Sequence, residues 1–176
     1  MSYTSYKLKA CAMYYWRFNR NMLCAPEVDH MDIAAFDGEV LIETEIKISK
    51  NDLKQDFNKR KHRFFENIGV PYPSGRTAYL SGFTPNKFYF MVPPDIVDYC
   101  KELLEDKNKS KYGIITLNES RKVEYLGTYM PMCVIVKPAA MLHTCVSKKA
   151  NVNVMKRLSA HITTIYMQKY WDKEVV

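Results

Sequence analysis

Leu41-Ile42-Glu43-Thr44-Glu45-Ile46-Lys47-Ile48 alternates apolar and charged residues with a period close to two, the pattern of a half-buried β-strand. Glu43, Glu45 and Lys47 fall on one face at i, i+2 steps. Three charges of mixed sign on an otherwise apolar strand are costly if the strand is central, because an unpaired buried carboxylate or ammonium loses several kcal/mol of hydration. Either the strand lies at a sheet edge with a solvated salt-bridge ladder, or something occupies that face with the charges.

The segment before it supplies a candidate. Residues 28–36 look extended, and Asp37-Gly38 is a hairpin signal. A two-residue loop at Asp37-Gly38 would set Phe36 opposite Glu39, Asp32 opposite Glu43 and His30 opposite Glu45. Asp32 would then share the charged face, diagonal to Glu45 at about 7–8 Å, within joint reach of one or two cations. A bulge at Gly38 would shift this register.

The totals bound the answer. The 176 residues suffice for one domain with a real core, and 47% hydrophobic with 26% charged residues is ordinary globular composition. A net charge of +7 is compatible with a polyanionic partner. The five cysteines, Cys11, Cys24, Cys100, Cys133 and Cys145, form no Cys-x-x-Cys or Cys/His pattern for zinc and are expected to be reduced and buried. Residues 1–7 lack the apolar core of a signal peptide, and no run approaches the roughly 20 apolar residues of a membrane span. The expectation is a cytoplasmic protein without a membrane partner.

Along the chain, Leu8, Cys11, Ala12, Tyr15, Phe18 and Met22 predict a helix over residues 4–23, ended before Pro26. After the charged strand, Ser49 followed by Asp52 starts a helix over 51–66. Its polar faces carry Lys50, Lys54, Lys59, Arg60, Lys61, His62 and Arg63, either a solvated basic surface or one that tracks phosphates. Residues 67–86, rich in Gly and Pro, read as a long loop holding Tyr72, Arg76 and Tyr79. Residues 87–92 read as a buried strand and Pro94 opens a helix. Strands follow at 112–117, 122–126 and 132–136, with a turn at Asn118-Glu119-Ser120. A last helix over 152–170 points Met155, Leu158, Ile162, Ile165 and Tyr166 inward. This order predicts a single α/β domain with a mixed sheet flanked by helices.

Asp32, then Glu45-Ile46-Lys47 across a hairpin, then a basic helix, resembles the PD-(D/E)XK nuclease superfamily, the restriction-endonuclease-like fold. In layout, His30-Met31-Asp32-Ile33-Ala34-Ala35, residues 45–53 with Asp56, Phe88-Tyr89-Phe90-Met91-Val92-Pro93, Tyr112-Gly113-Ile114-Ile115 and Val134-Ile135-Val136-Lys137 resemble the MmcB-like DNA-repair nuclease group, over roughly residues 27–165. The Asp…Glu-x-Lys motif alone is short and weakly specific. The resemblance implies a nuclease that hydrolyses phosphodiester bonds of DNA with Mg²⁺ or Mn²⁺, in repair, recombination or a mobile element. It implies Asp32, Glu45 and the Ile46 carbonyl as metal ligands. Lys47 would orient or deprotonate the attacking water. Hard oxygen ligands of this kind suit Mg²⁺, which lowers the pKa of bound water and screens phosphate charge.

Glu43 is an extra acid that could assist the metal or pair with a lysine. His30 is either a plain strand histidine or an auxiliary group beside Glu45. Lys50, Lys54, Arg60, Lys61 and Arg76 are the candidate nucleic-acid contacts, and Lys50 and Asp56 could help position substrate. The chain departs from the resembled pattern in two respects. The helix over 4–23 contains no acid where that family often places a Glu, and Met31 stands where the family name has Pro. The first departure admits an alternative, a catalytically inactive nucleic-acid-binding or assembly module on the same fold. A homodimer is compatible with both. No Ser/His/Asp or Cys/His arrangement points to an enzyme or inhibitor acting on another protein.

Overall fold

The computed structural model describes residues 3–28, 30–66, 84–145 and 148–170. Helix α1 (Ser5–Tyr14) continues through a wider π turn at Tyr15–Asn19 and is followed by strands β1 (Leu23–Val28), β2 (Met31–Phe36) and β3 (Leu41–Ile46). Two short helices, α2 (Lys50–Asp56) and α3 (Arg60–Glu66), precede β4 (Lys87–Met91). A 3₁₀ turn at Pro94–Ile96 leads into α4 (Val97–Asp106), and then come β5 (Gly113–Tyr125), β6 (Thr128–Lys137) and α5 (Lys148–Tyr170).

The strands form one six-stranded mixed sheet in the order β1-β2-β3-β4-β5-β6. β1, β2 and β3 are antiparallel neighbours, β3, β4 and β5 run parallel, and β6 returns antiparallel. This is the expected single α/β domain, a mixed sheet flanked by helices. The charged strand β3 is therefore central, with β2 on one side and the largely apolar β4 on the other.

Two faces of β3 meet two different environments. Ile42, Thr44 and Ile46 face α1, where Leu8, Ala12 and Trp16 are buried and the Trp16 indole donates to Thr44 Oγ1 at 2.9 Å. The opposite face divides into three zones. α5 buries Val154 over Ala34, Phe36 and Leu41, and α4 packs Leu103 and Leu104 over Phe88 and Phe90. Each fully buried phenylalanine contributes about 2–3 kcal/mol of apolar burial. Between those apolar zones lie Glu43, Glu45 and Lys47, all buried.

Several boundaries differ from the sequence expectation for local reasons. The first helix stops at Asn19, because residues 23–28 are already strand; Pro26 is tolerated there since β1 is a sheet edge and its missing N–H forfeits no ladder bond. The segment 28–36 is thus the end of one strand and the whole of the next. The β2–β3 loop spans residues 37–40, not two residues. Asp37 Oδ1 accepts from the Glu39 and Val40 N–H groups at 2.9 and 2.7 Å, and Gly38 takes φ 111°, a conformation suited to glycine. Phe36 consequently pairs with Leu41, Ala34 with Glu43 and Ile33 with Thr44. The shift of two positions moves Asp32 from opposite Glu43 to beside Glu45, where its side chain reaches Lys9 of α1 and the Ile46 N–H.

The helix expected over 51–66 breaks at residues 57–59 into α2 and α3. Asn118-Glu119-Ser120 is a bulge inside the long β5, with Asn118 Oδ1 accepting from Ser120 N at 3.1 Å and Oγ at 2.7 Å. The true hairpin turn is Leu126-Gly127, both at positive φ, into β6. On α5 the inward residue is Val154, while Met155, Ile162 and Ile165 are exposed and Leu158 is half-buried; the Tyr166 side chain lies outside the described residues. All five cysteines are free, but Cys133 is half-buried and Cys145 exposed. The loop expected over 67–86, with Tyr72, Arg76 and Tyr79, falls outside the described residues up to position 83. No helix among the described residues is long and apolar enough to cross a membrane.

Buried Asn86 fixes the start of β3. Its Oδ1 accepts from Leu41 N at 2.8 Å, and its Nδ2 donates to the carbonyls of Cys145 and His143 at 2.9 and 3.1 Å. Asn86→Ala strands these buried groups and should lower unfolding free energy by about 1–3 kcal/mol, read by chemical denaturation. A loss below about 0.5 kcal/mol would show that the clamp does not matter.

Candidate functional site

The charged face of β3 is closed by the turn between α2 and α3. Ser49 caps α2, its Oγ accepting from Asp52 N at 3.1 Å, and this sets Asp52 and Asp56 one helical turn apart on the side facing Lys47. The break at residues 57–59 then brings Lys59, Lys61 and His62 back over the strand.

Lys47 Nζ lies 2.8 Å from Asp56 Oδ1, 3.1 Å from Glu45 Oε1 and 3.5 Å from Asp52 Oδ1. Lys59 Nζ also bridges Glu45 Oε1 and Asp56 Oδ1. Lys61 Nζ lies 2.6 Å from both Glu43 Oε1 and Glu45 Oε2, and 5.2 Å from the Phe88 ring centroid. Three buried carboxylates, Glu43, Glu45 and Asp56, thus face three ammonium groups, which is how a central strand carries such charges without leaving one unpaired.

Asp56 is further tied to His62. Its Oδ2 stands 2.7 Å from His62 Nε2, and His62 Nδ1 is 2.9 Å from the Tyr112 hydroxyl. A carboxylate only accepts, so Nε2 carries the proton and the Tyr112 hydroxyl donates to Nδ1. Burial pushes the His62 pKa down against the opposing pull of Asp56, keeping the ring neutral at pH 7.

The ionisation of the cluster follows from its dryness and its pairs. Burial raises the Glu43 pKa to about 7, although Lys61 pulls it down and Glu45 and Asp56 add to the rise. Burial would raise Asp56 too, but its bonds to His62, Lys47 and Lys59 win and hold it far below the usual carboxylate range. For Lys47, burial acts to lower the pKa, yet Asp56 and Glu45 together keep it above the ordinary lysine value. Lys47 is therefore a firm cation.

Asp32 sits at the rim. Its Oδ2 accepts from Ile46 N at 2.9 Å and its Oδ1 is 2.9 Å from Lys9 Nζ, so α1 offers this acid a lysine. The structure thus gathers Glu43, Glu45, Lys47 and Lys61 into one cluster, with Asp32 adjacent through the Ile46 backbone. His30 is not opposite Glu45: it lies exposed in the β1–β2 turn. Lys61 is engaged by acids, contrary to a role as a free phosphate contact, whereas Lys50, Lys54 and Arg60 are exposed. Arg76 lies outside the described residues. Asp56 is buried at the centre of the network, and the signal for it in the sequence is its i, i+4 spacing from Asp52 on a Ser-capped helix. Nothing in the sequence marks the break that turns Lys59 and His62 inward.

Comparison with protein-family models, curated proteins and solved structures finds no match.

Whether these residues fit a divalent ion can be judged from their partners. No group of three or more His, Cys, Asp or Glu side chains arranged to hold a metal occurs among the described residues. The donor types do fit: Asp32 and Glu45 are the hard oxygens that Mg²⁺ or Mn²⁺ takes, and Mg²⁺ sites keep several waters, so two carboxylates suffice. Ammonium groups now hold both Glu45 oxygens. Of the three lysines on Glu45, Lys59 is the one with a half-exposed side chain, 48%, while Lys47 on Oε1 is buried and Lys61 on Oε2 largely so.

Above pH 7 the folded state carries Glu43 ionised in a dry setting, which costs about 3 kcal/mol relative to the unfolded chain. Below about pH 4.5 both states hold the proton and the cost vanishes; between these values the unfolded chain loses its proton first, so stability falls as pH rises. Glu43→Gln removes this dependence. Its melting temperature relative to the unmodified protein should climb between pH 5 and pH 8, and a flat or falling difference would refute the raised Glu43 pKa.

Proposed function

We propose that the chain is a divalent-metal-dependent nuclease that hydrolyses phosphodiester bonds of DNA. The observation that carries this reading is the fixed Glu45–Lys47 pair at the end of β3, with Asp32 of β2 bonded to the backbone between them. The end of a parallel strand, where the chain turns into a helix, is the usual place for a ligand site in an open α/β sheet.

Asp32, Glu45 and the Ile46 carbonyl would hold Mg²⁺ or Mn²⁺, which when bound would acidify a water and screen phosphate charge. Lys47, kept protonated by Asp56 and Glu45, serves as a cation for a non-bridging phosphate oxygen, not as the base. Water adds to phosphorus and the bridging oxygen leaves with a proton as a hydroxyl group. Lys50, Lys54 and Arg60 line the exposed faces of α2 and α3 and give the DNA backbone cationic contacts, in keeping with the net charge of +7.

A second reading, a module that binds nucleic acid without cutting it, is favoured by the engagement of both Glu45 oxygens by lysines. Incubation of purified protein with single- and double-stranded DNA and Mg²⁺ or Mn²⁺ separates the two. The nuclease reading expects cleavage that drops at least about a hundredfold in Glu45→Gln and Lys47→Ala. Salt-sensitive binding with no cleavage under either metal would leave the binding module. In either case the Lys50→Ala, Lys54→Ala, Arg60→Ala triple variant should flatten the slope of log affinity against log salt, by up to roughly 0.9 for each phosphate that these side chains neutralise. An unchanged slope would exclude them from the interface.

A further inference from the structure

We infer that Asp56 is a positioning residue for Lys47, and that His62 and Tyr112 brace Asp56 so that the ammonium keeps one direction while the half-exposed Lys59 moves. The inference rests on the nuclease reading for its kinetic consequence, but the bracing itself is a property of the folded chain.

The geometry makes a continuous chain. Lys47 Nζ to Asp56 Oδ1 is 2.8 Å, Asp56 Oδ2 to His62 Nε2 is 2.7 Å, and His62 Nδ1 to the Tyr112 hydroxyl is 2.9 Å. It begins at the end of β3, crosses α2 and α3 and ends at the start of β5, two strands away in the sheet. Each step uses a different atom of the bridging group, so fixing Tyr112 fixes the imidazole, and fixing the imidazole fixes the rotation of the carboxylate.

The middle of the chain has nowhere to turn. His62 is 1% exposed and stands 5.1 Å from Phe57 and 5.4 Å from Phe88 between ring centroids. The Tyr112 ring is packed on Phe88 at 4.7 Å, and the Tyr112 carbonyl accepts from Lys137 of β6. The Asp56 side chain has no exposed surface, whereas that of Lys59, which bridges the same pair of acids, is 48% exposed. One of the two lysines shared by Glu45 and Asp56 is thus locked and the other can leave.

The locked lysine is the one that follows Glu45 along the strand. When Lys59 turns out, Asp56 retains Lys47 as its charge partner and holds it toward Glu45. The groups that face Lys47 are Glu45 of β3, Asp52 and Asp56 on α2, and Lys59 from the following turn; Lys61 of α3 reaches the far oxygen of Glu45. Of the acids, Asp56 makes the shortest contact with Lys47.

The test compares the full chain with Asp56→Asn, which keeps shape and removes charge, and with Tyr112→Phe, which removes only the hydroxyl. Lysines are labelled by reductive ¹³C-methylation, and the order parameter of the Lys47 methyl groups, assigned with Lys47→Arg, is read by NMR relaxation at about pH 7. Cleavage of a DNA duplex with Mg²⁺ is measured in parallel at the same pH. The Lys47 side chain should be more mobile in Asp56→Asn, with kcat reduced about tenfold to a hundredfold and KM little changed. Tyr112→Phe should loosen it in the same direction by less, and it decides the matter if Asp56→Asn does not fold.

A Lys47 order parameter that is the same in all three proteins would overturn the proposal, as would a rise in KM with kcat unchanged. If the order parameter falls as expected while the unmodified protein cuts no DNA, the brace stands and the nuclease reading falls.

Discussion

A buried carboxylate on a central strand must find a cation, and Glu45 finds three. Its two oxygens are shared by Lys47 just past the end of its own strand, Lys59 from the turn after α2 and Lys61 from α3. Each of these lysines also touches a second acid, Lys47 and Lys59 reaching Asp56 and Lys61 reaching Glu43. Without the pairs, the desolvation of the acids would cost several kcal/mol each and the charged face of β3 could not lie beneath helices. The break between α2 and α3, the burial of Asp56 and the aromatic packing around His62 all follow from the need to bring those lysines inward and keep them there.

The same network links fold to chemistry. A site for phosphate and metal needs acids and a lysine held at close range before the substrate arrives, since disorder at that stage raises the barrier. In the proposed nuclease the cluster would meet that need by exchanging an internal cation for an external one. Lys59 is positioned to leave and Lys47 to stay. Asp32 is the counterpart on β2, satisfied by Lys9 and the Ile46 N–H in the same way.

Much of this is legible in the residues and some is not. The alternation over 41–48 specifies a strand with its charges on one face, and the parity of side chains along a strand survives a hairpin register that differs by two positions. The apolar run at 88–91 identifies a buried strand because no charged residue interrupts it. Asn118-Glu119-Ser120 reads as a turn although it is a bulge, since both use the same residue types. The inward stripe of α5 is hard to read because apolar residues occur on more than one side of that helix, and the side holding Val154 is the one that meets β1 and β2. Lys61 reads as a free cation because local sequence does not say which acids lie across a helix break, and such pairs form only when the chain folds.

The most direct test of the central claim is a double-mutant cycle on unfolding with Glu45→Gln, Lys47→Met and the pair together. If the cluster is one cooperative unit, the two substitutions should be coupled by at least about 2 kcal/mol, the double variant being much more stable than the sum of the single losses implies. Additivity within about 0.5 kcal/mol would mean that the two charges are accommodated independently and that the pairing does not organise the structure.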